Sequence, residues 1–412
     1  MADLCGGGFA NPVACAGGSQ EEQPPPSRSG LAGCHRLAND ACGYDGWVNT
    51  YINCNPDVPD LAAGGARRSS GVLITGAGGE VGHGLIKALH AQGYEQIVAV
   101  DIRELPAELQ SCCRETFVGD ICDAALLGRM MARYEITEIY HLAALLSTRS
   151  EFVPETAHAV NVDGTINLLR LAHEQARSHG QVVKFIYPSS IAVYGMPDLK
   201  TKRAAGAVAE DQFLEPTTMY GCNKLACQHL GRYYARHYRQ LAQDAVAGLL
   251  DFRCVRYPGL ISPDTLPSGG TSDYGPEMVH AAASGRAYKC FVRPDTRIPF
   301  MMMPKAIEAT LELGAAPAGN LTRCVYNISS FSASAQEIAD LVCEQWPGAD
   351  IEFVPDEQRQ GIVDSWPEDV DCSAAAADWG FEAGAGLREA FGEVLIPAIR
   401  ARYGGPGATV LA

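Results

Sequence analysis

No uninterrupted apolar run approaches the roughly 18–20 residues that a bilayer crossing requires, so no membrane-spanning helix is expected. Positive charge is scarce: 32 Lys and Arg stand against 48 Asp and Glu, a net charge of −16. No basic cluster relieves this, which argues against a nucleic-acid partner, because such affinity comes largely from Lys and Arg on phosphates. The 15 cysteines match no zinc spacing, and no metal site is expected. Five of them, Cys5, Cys15, Cys34, Cys42 and Cys54, fall in the first 70 residues. The opening MADLCGGGFANP lacks the basic flank and apolar stretch of a secretory signal. The thiols are therefore read as reduced, in a cytoplasmic or mitochondrial setting.

What remains is ample for a folded protein. With 412 residues and 47% hydrophobic character, the chain is long enough for two or three compact units. Residues 1–70 stand apart: they hold Pro24, Pro25 and Pro26, scattered Gly and Ser, and no sustained period, and are expected to form a flexible extension. From Gly71 onward short apolar runs alternate with segments of helical spacing. The runs are Val72–Ile74, Ile97–Val100, Phe117–Val118, Ile139–Leu142, Phe185–Pro188 and Leu249–Arg256. Between them lie Val81–Gln92, Ala157–Ser178 and Tyr220–Leu241. Buried strands alternating with amphipathic helices predict an α/β fold, a doubly wound (Rossmann) parallel sheet. The alternation fails after Ser262, which places this dinucleotide-binding unit at 71–262, a smaller α/β substrate-binding lobe at 263–403 and a tail at 404–412.

The first strand runs into Thr75-Gly76-Ala77-Gly78-Gly79-Glu80-Val81-Gly82, a G-x-x-G-x-x-G spacing at the opening of a helix. The first glycine permits a tight turn, the second lets a pyrophosphate approach the backbone, and the third allows close helix–strand packing. The helix start offers N–H groups to phosphates, so Gly76, Gly78, Gly79, Glu80, Val81 and Gly82 are candidate cofactor contacts. Asp101 ends the second strand, where a carboxylate accepts from a ribose diol and repels a 2′-phosphate. NAD is therefore favoured over its phosphorylated form, although Arg103 beside Ile102 leaves that choice open.

Two further segments carry chemistry. Tyr187-Pro188-Ser189-Ser190 ends an apolar strand with a serine pair, either of which can orient an alcohol. Tyr220-Gly221-Cys222-Asn223-Lys224 puts Tyr and Lys at i and i+4, on one face of a helix. An ammonium near a phenol favours the phenolate, so Lys224 is expected to lower the Tyr220 pKa and make it a base.

Together these motifs resemble the extended short-chain dehydrogenase/reductase family, with matches through Gly76, Gly79, Gly82, Asp101, Asp120-Ile121, His141-Leu142-Ala143-Ala144, Asn161 and Tyr220/Lys224. The resemblance implies Asp120 and Ile121 beside the adenine and Leu142, Ala143 and Ala144 along the cofactor. It further implies Asn161 in support of the catalytic helix, Leu260 near the dinucleotide, and Ser190 as the active hydroxyl, with Ser189 competing. His141 is read as a buried strand residue rather than a catalyst.

Later segments narrow the resemblance: Arg256–Ser262, Gly269–Tyr274, Asp295–Pro304, Arg359–Pro367 and Asp378–Gly380 look like the branch that oxidises the C3 hydroxyl of L-threonine with NAD. The branch implies 2-amino-3-oxobutanoate as product and a homodimer. Ser147, Ser190, Tyr220, Gly270 and Thr271 are the expected substrate contacts, with Gly269–Gly270 N–H groups on the carboxylate and Trp366 closing the pocket. Leu199–Phe213 and Gln240–Gly248 look like loop insertions. Two other functions fit the same motifs: a nucleotide-sugar 4-epimerase, and a non-catalytic NAD-binding sensor.

Overall fold

The computed structural model describes residues 69–267 and 269–404. The expected extension at 1–70 lies, except for its last two residues, outside the described residues, as does the tail beyond Gly404.

Five strands in chain order, β1 (Ser69–Thr75), β2 (Ile97–Asp101), β3 (Glu115–Val118), β4 (Tyr134–His141) and β5 (Val183–Ser190), form most of a seven-stranded sheet. Leu250–Tyr257 and Val325–Asn327 complete it, in the spatial order Val325–Asn327, Leu250–Tyr257, β5, β4, β1, β2, β3. Every pairing is parallel. The order reverses between β1 and β4, and a doubly wound sheet takes its ligand in the crevice at that point, outside the carboxyl ends of the strands. Thr75 lies opposite His141, Asp101 opposite Val118 and Ser190 opposite Tyr257, so the candidate residues gather at one edge of the sheet.

The strands are near-continuous apolar runs because both faces are covered. Leu73, Val98, Val100, Ile136 and Phe185 pack into one buried cluster, and Val72, Ile74, Ile97, Ala99 and Ile186 into another on the opposite face. The helix Glu80–Ala91 buries Gly82, Leu85, Ile86 and Leu89, the spacing of one helical face. Gly180 ends the helix Gly164–His179 in the left-handed conformation, at φ +73°. The expected helix over 157–178 is therefore real but interrupted. It begins as Pro154–His158 and passes through a π-helical turn at Ala159–Asp163, which carries Asn161. Such turns recur at functional sites.

Elements beyond Ser262 are shared between two layers. Val325–Asn327 joins the central sheet, while Arg297–Met302 pairs with Gly259–Ile261 and Phe331–Ser334 in a separate three-stranded sheet. The second of the two expected insertions, Gln240–Gly248, is irregular and mostly exposed, whereas Leu199–Phe213 contains the helix Leu199–Ala205 and the strand Ala207–Val208. No described helix is long and apolar enough to cross a membrane.

Candidate active site

The glycine turn is built by close approach. Gly76 has φ +67°, and a β-carbon there would stand 2.5 Å from the Ala143 nitrogen. Only glycine lets the loop after β1 lie against Leu142 and Ala143 at the end of β4. Asp101 braces the same turn: its carboxylate accepts from the Gly78 N–H at 2.8 Å and the Arg103 N–H at 3.0 Å. Gly79 caps the following helix without a side-chain acceptor, which leaves the N–H groups of its first turn, at Glu80, Val81 and Gly82, for a ligand. Burial pushes the Glu80 carboxyl above the ordinary range. Asp120 accepts from the Cys122 N–H at 2.9 Å, and Ile121 packs beneath Gly164. Ile102 and Arg103 are exposed, as rim positions would be. An uncapped helix start, a carboxylate at the end of β2 and an apolar wall at Leu142–Ala144 make a donor set that fits NAD.

The serine pair divides its work. Ser189 is 2% exposed and accepts from Gln228 Nε2 at 2.5 Å; Gln228 in turn accepts from Arg256 Nη2 at 2.8 Å. Ser190 is half-buried and accepts from the Ala192 N–H at 3.1 Å. Strand alternation sends the two hydroxyls to opposite faces.

Tyr220 and Lys224 sit on the helix Met219–Arg236, which Thr218 starts by accepting from the Gly221 N–H at 3.1 Å. Lys224 Nζ donates to the Pro188 carbonyl at 2.7 Å and lies 4.5 Å from the Tyr187 ring centre and 5.6 Å from that of Tyr220. The lysine thus ties the helix to the last turn of β5, beside the serines. The expected depression of the Tyr220 pKa is not present in the protein alone. Burial pushes the phenol well up, and the same burial lowers the Lys224 ammonium to about 8. The spacing places both residues on one helix but does not set the direction of the shift, which burial decides by penalising the phenolate.

His141 is a structural link. It is fully buried, and burial lowers it to about 3, so the ring is neutral. Thr165 gives its hydroxyl proton to the Asn161 carbonyl at 2.5 Å, so His141 Nε2 donates to Thr165 Oγ1 at 2.9 Å and Nδ1 accepts from Thr75 at 2.8 Å. Asn161 spans the site. Its side chain holds both backbone groups of Leu145, at 2.7 and 3.0 Å, and its carbonyl accepts from Cys227 Sγ on the Tyr220 helix.

The remaining candidates are held by contacts of their own. Thr271 Oγ1 donates to Ser147 Oγ at 3.3 Å, and Thr148 reaches the Gly269 carbonyl at 3.1 Å. The Gly270 N–H, expected to hold a carboxylate, is already given to Asp273 at 2.7 Å. Arg359 Nη2 donates to the Gly270 carbonyl at 3.1 Å, a role that its place in the chain did not suggest. Trp366 is 4% exposed, packs in the cluster that contains Ile191, Ala192 and Val193, and has no partner for its indole N–H among the described residues. Leu260 is half-buried opposite Met301.

The NAD dependent epimerase/dehydratase family matches residues 72–329. The mitochondrial L-threonine 3-dehydrogenase of Bos taurus is 36% identical over 319 residues, 76% of this chain and 78% of its own length. The holo form of the GalE-like L-threonine dehydrogenase from Cupriavidus necator superimposes with a TM-score of 0.68 at 34% identity, over 79% of this chain and 99% of that one. A UDP-glucose 4-epimerase from Thermotoga maritima superimposes at 0.67 over 80% and 98% of the two chains, but at 18% identity it shares the fold alone.

Proposed function

The chain belongs to the NAD dependent epimerase/dehydratase family, and we propose that it oxidises the C3 hydroxyl of L-threonine to 2-amino-3-oxobutanoate. It is an NAD-dependent oxidoreductase. The observation that carries the reading is the Lys224–Pro188 bond of 2.7 Å, which ties the helix that bears Tyr220 to the end of β5, two residues before Ser190.

Ser190 holds the substrate's C3 oxygen, and Tyr220 takes the hydroxyl proton as the C3–H bond breaks. When bound, NAD, which Asp101 and the first turn of the Glu80–Ala91 helix would hold, would supply the acceptor for the C3 hydride. Lys224 stabilises the phenolate electrostatically, a task it performs as the ammonium. Ser147 and Thr271 supply hydroxyls for the zwitterionic end of the substrate, and Trp366 excludes water from the opposite wall. Asp101 and the first turn of the Glu80–Ala91 helix retain the cofactor, with Asp120, Ile121, Leu142, Ala143, Ala144, Asn161 and Leu260 lining or supporting its path.

Mixing the protein with NAD and L-threonine should raise absorbance at 340 nm as NADH is released. An epimerase would instead convert UDP-galactose with no net NADH, and a sensor would bind NAD without turnover. Leu146, Phe152 and Tyr233 are exposed apolar side chains that a homodimer would cover; light scattering at twice the monomer mass tests it. Fractionation of cells expressing the chain decides between cytoplasm and mitochondrion.

A further inference from the structure

The helix Leu199–Ala205, the first part of the expected insertion Leu199–Phe213, buries a lysine. Asp198 starts this helix by accepting from the Thr201 N–H at 2.7 Å, and Arg203 pairs with Asp295 at 2.6 Å. Lys202 between them is 2% exposed. Its ammonium donates to the Val363 carbonyl at 3.0 Å, its single hydrogen bond among the described residues. Val363 lies in the last turn of the helix Glu357–Asp364, and the same carbonyl accepts from the Trp366 N–H at 3.2 Å. The cation therefore sits on the carbonyl that fixes the Trp366 backbone, at the helix end where positive charge is favoured.

The neighbouring bonds show what this turn is held against. The Met196 N–H donates to the Ser365 carbonyl at 2.7 Å, and Thr217 and Ser365 share a hydroxyl contact at 2.9 Å. Both partners lie in the chain that joins Ser190 to Tyr220. At its first turn the Glu357–Asp364 helix carries Arg359, which holds the Gly270 carbonyl next to Thr271. One short helix thus sets two walls of the substrate pocket, Thr271 through Arg359 and Trp366 through Val363.

We infer that Lys202 is a positioning residue for L-threonine, its ammonium fixing the Val363–Trp366 turn so that Trp366 and Thr271 keep a common register. The inference rests on the threonine-oxidising reading above. Burial lowers the ammonium to about 8; Asp364, Glu368 and Asp295 oppose this, and Arg293 adds to it. Below that pH the charge is in place.

Lys202→Met tests this against NAD and L-threonine in the full chain. The KM for L-threonine should rise about tenfold, the scale of a lost charged hydrogen bond, with kcat less affected and NAD affinity unchanged. Lys202→Arg, which keeps the charge, should recover part of the loss. An unchanged KM, or equal losses in KM and NAD affinity, overturns the inference. If Lys202→Met does not fold, Lys202→Arg still decides: the fluorescence of Trp366, taken against the matching Trp366→Phe variant, should differ from that of the wild type and the KM for L-threonine should be raised, and a signal and a KM both equal to the wild type's overturn the inference. Absence of any wild-type turnover on L-threonine would instead sink the functional reading itself.

Discussion

Gly221 presses against the carbonyl of Ala192 so closely that a methyl group on its α-carbon would overlap the oxygen. Gly221 follows Tyr220, and Ala192 lies two residues after Ser190, so this contact sets how near the phenol stands to the serine hydroxyl. Pro216 closes the same space, 2.8 Å from that β-carbon. Gly221→Ala should cost about 1–3 kcal/mol of stability in urea unfolding. Because the added methyl displaces the helix start from β5, turnover at 340 nm should fall by roughly 10²-fold, more than NAD affinity does.

Tyr220→Phe removes the proton acceptor and leaves the ring. Turnover of L-threonine should fall about 10³-fold, within the range of a lost general base. NAD binding by calorimetry should stay within about threefold, since the glycine turn and Asp101 are untouched. Residual turnover near that of the wild type would remove Tyr220 from the mechanism.

Burial raises the Tyr220 phenol, and the base must be deprotonated to act, so the reaction is slower at low pH. At saturating NAD, kcat/KM for L-threonine should climb from pH 6 to about 8, where the Lys224 ammonium begins to be lost. Lys224→Met, which deletes the cation nearest the phenol, should shift the rising limb to higher pH and lower the plateau. A profile level across this range contradicts phenolate catalysis.

His141 gives the fold a dependence on acid. Its folded pKa of about 3 lies below the ordinary 6.5, so between these values the unfolded chain binds the extra proton. Stability is fully present above pH 6.5 and drains as pH falls toward 3, by up to about 1.4 kcal/mol per pH unit from this group. Urea midpoints from pH 7 to 4 should fall steeply in the wild type. His141→Gln, which removes the titrating ring and can replace the bond to Thr165, should start less stable but decline less.

Much of the fold was legible because its strands are short apolar runs bounded by chemistry: Thr75 before the glycine turn, Asp101 ending β2, Ser190 ending β5. The Tyr220–Lys224 spacing correctly placed both on one helix. It does not report dielectric, and the direction of the phenol shift depends on burial, since Tyr220 packs against the cluster that holds Ile191, Ala192 and Val193. Lys202 gave no signal, since a lysine in a seven-residue helix reads as solvated until Val363 is brought over it. The Gly270 N–H was misjudged for a related reason: Asp273, three residues on, reaches it first. The division of Ser189 from Ser190 also needed coordinates, because Gln228 and Arg256, which engage Ser189, come from distant parts of the chain.

The latch from Asp101 to Gly78 bears on any attempt to re-engineer the enzyme's choice of dinucleotide. Exchanging the acid for a small neutral residue would admit a phosphorylated ribose and simultaneously slacken the turn that must grip the diphosphate. A successful redesign therefore has to separate these duties, with one side chain still accepting from the Gly78 amide and a second, newly introduced cation greeting the extra phosphate.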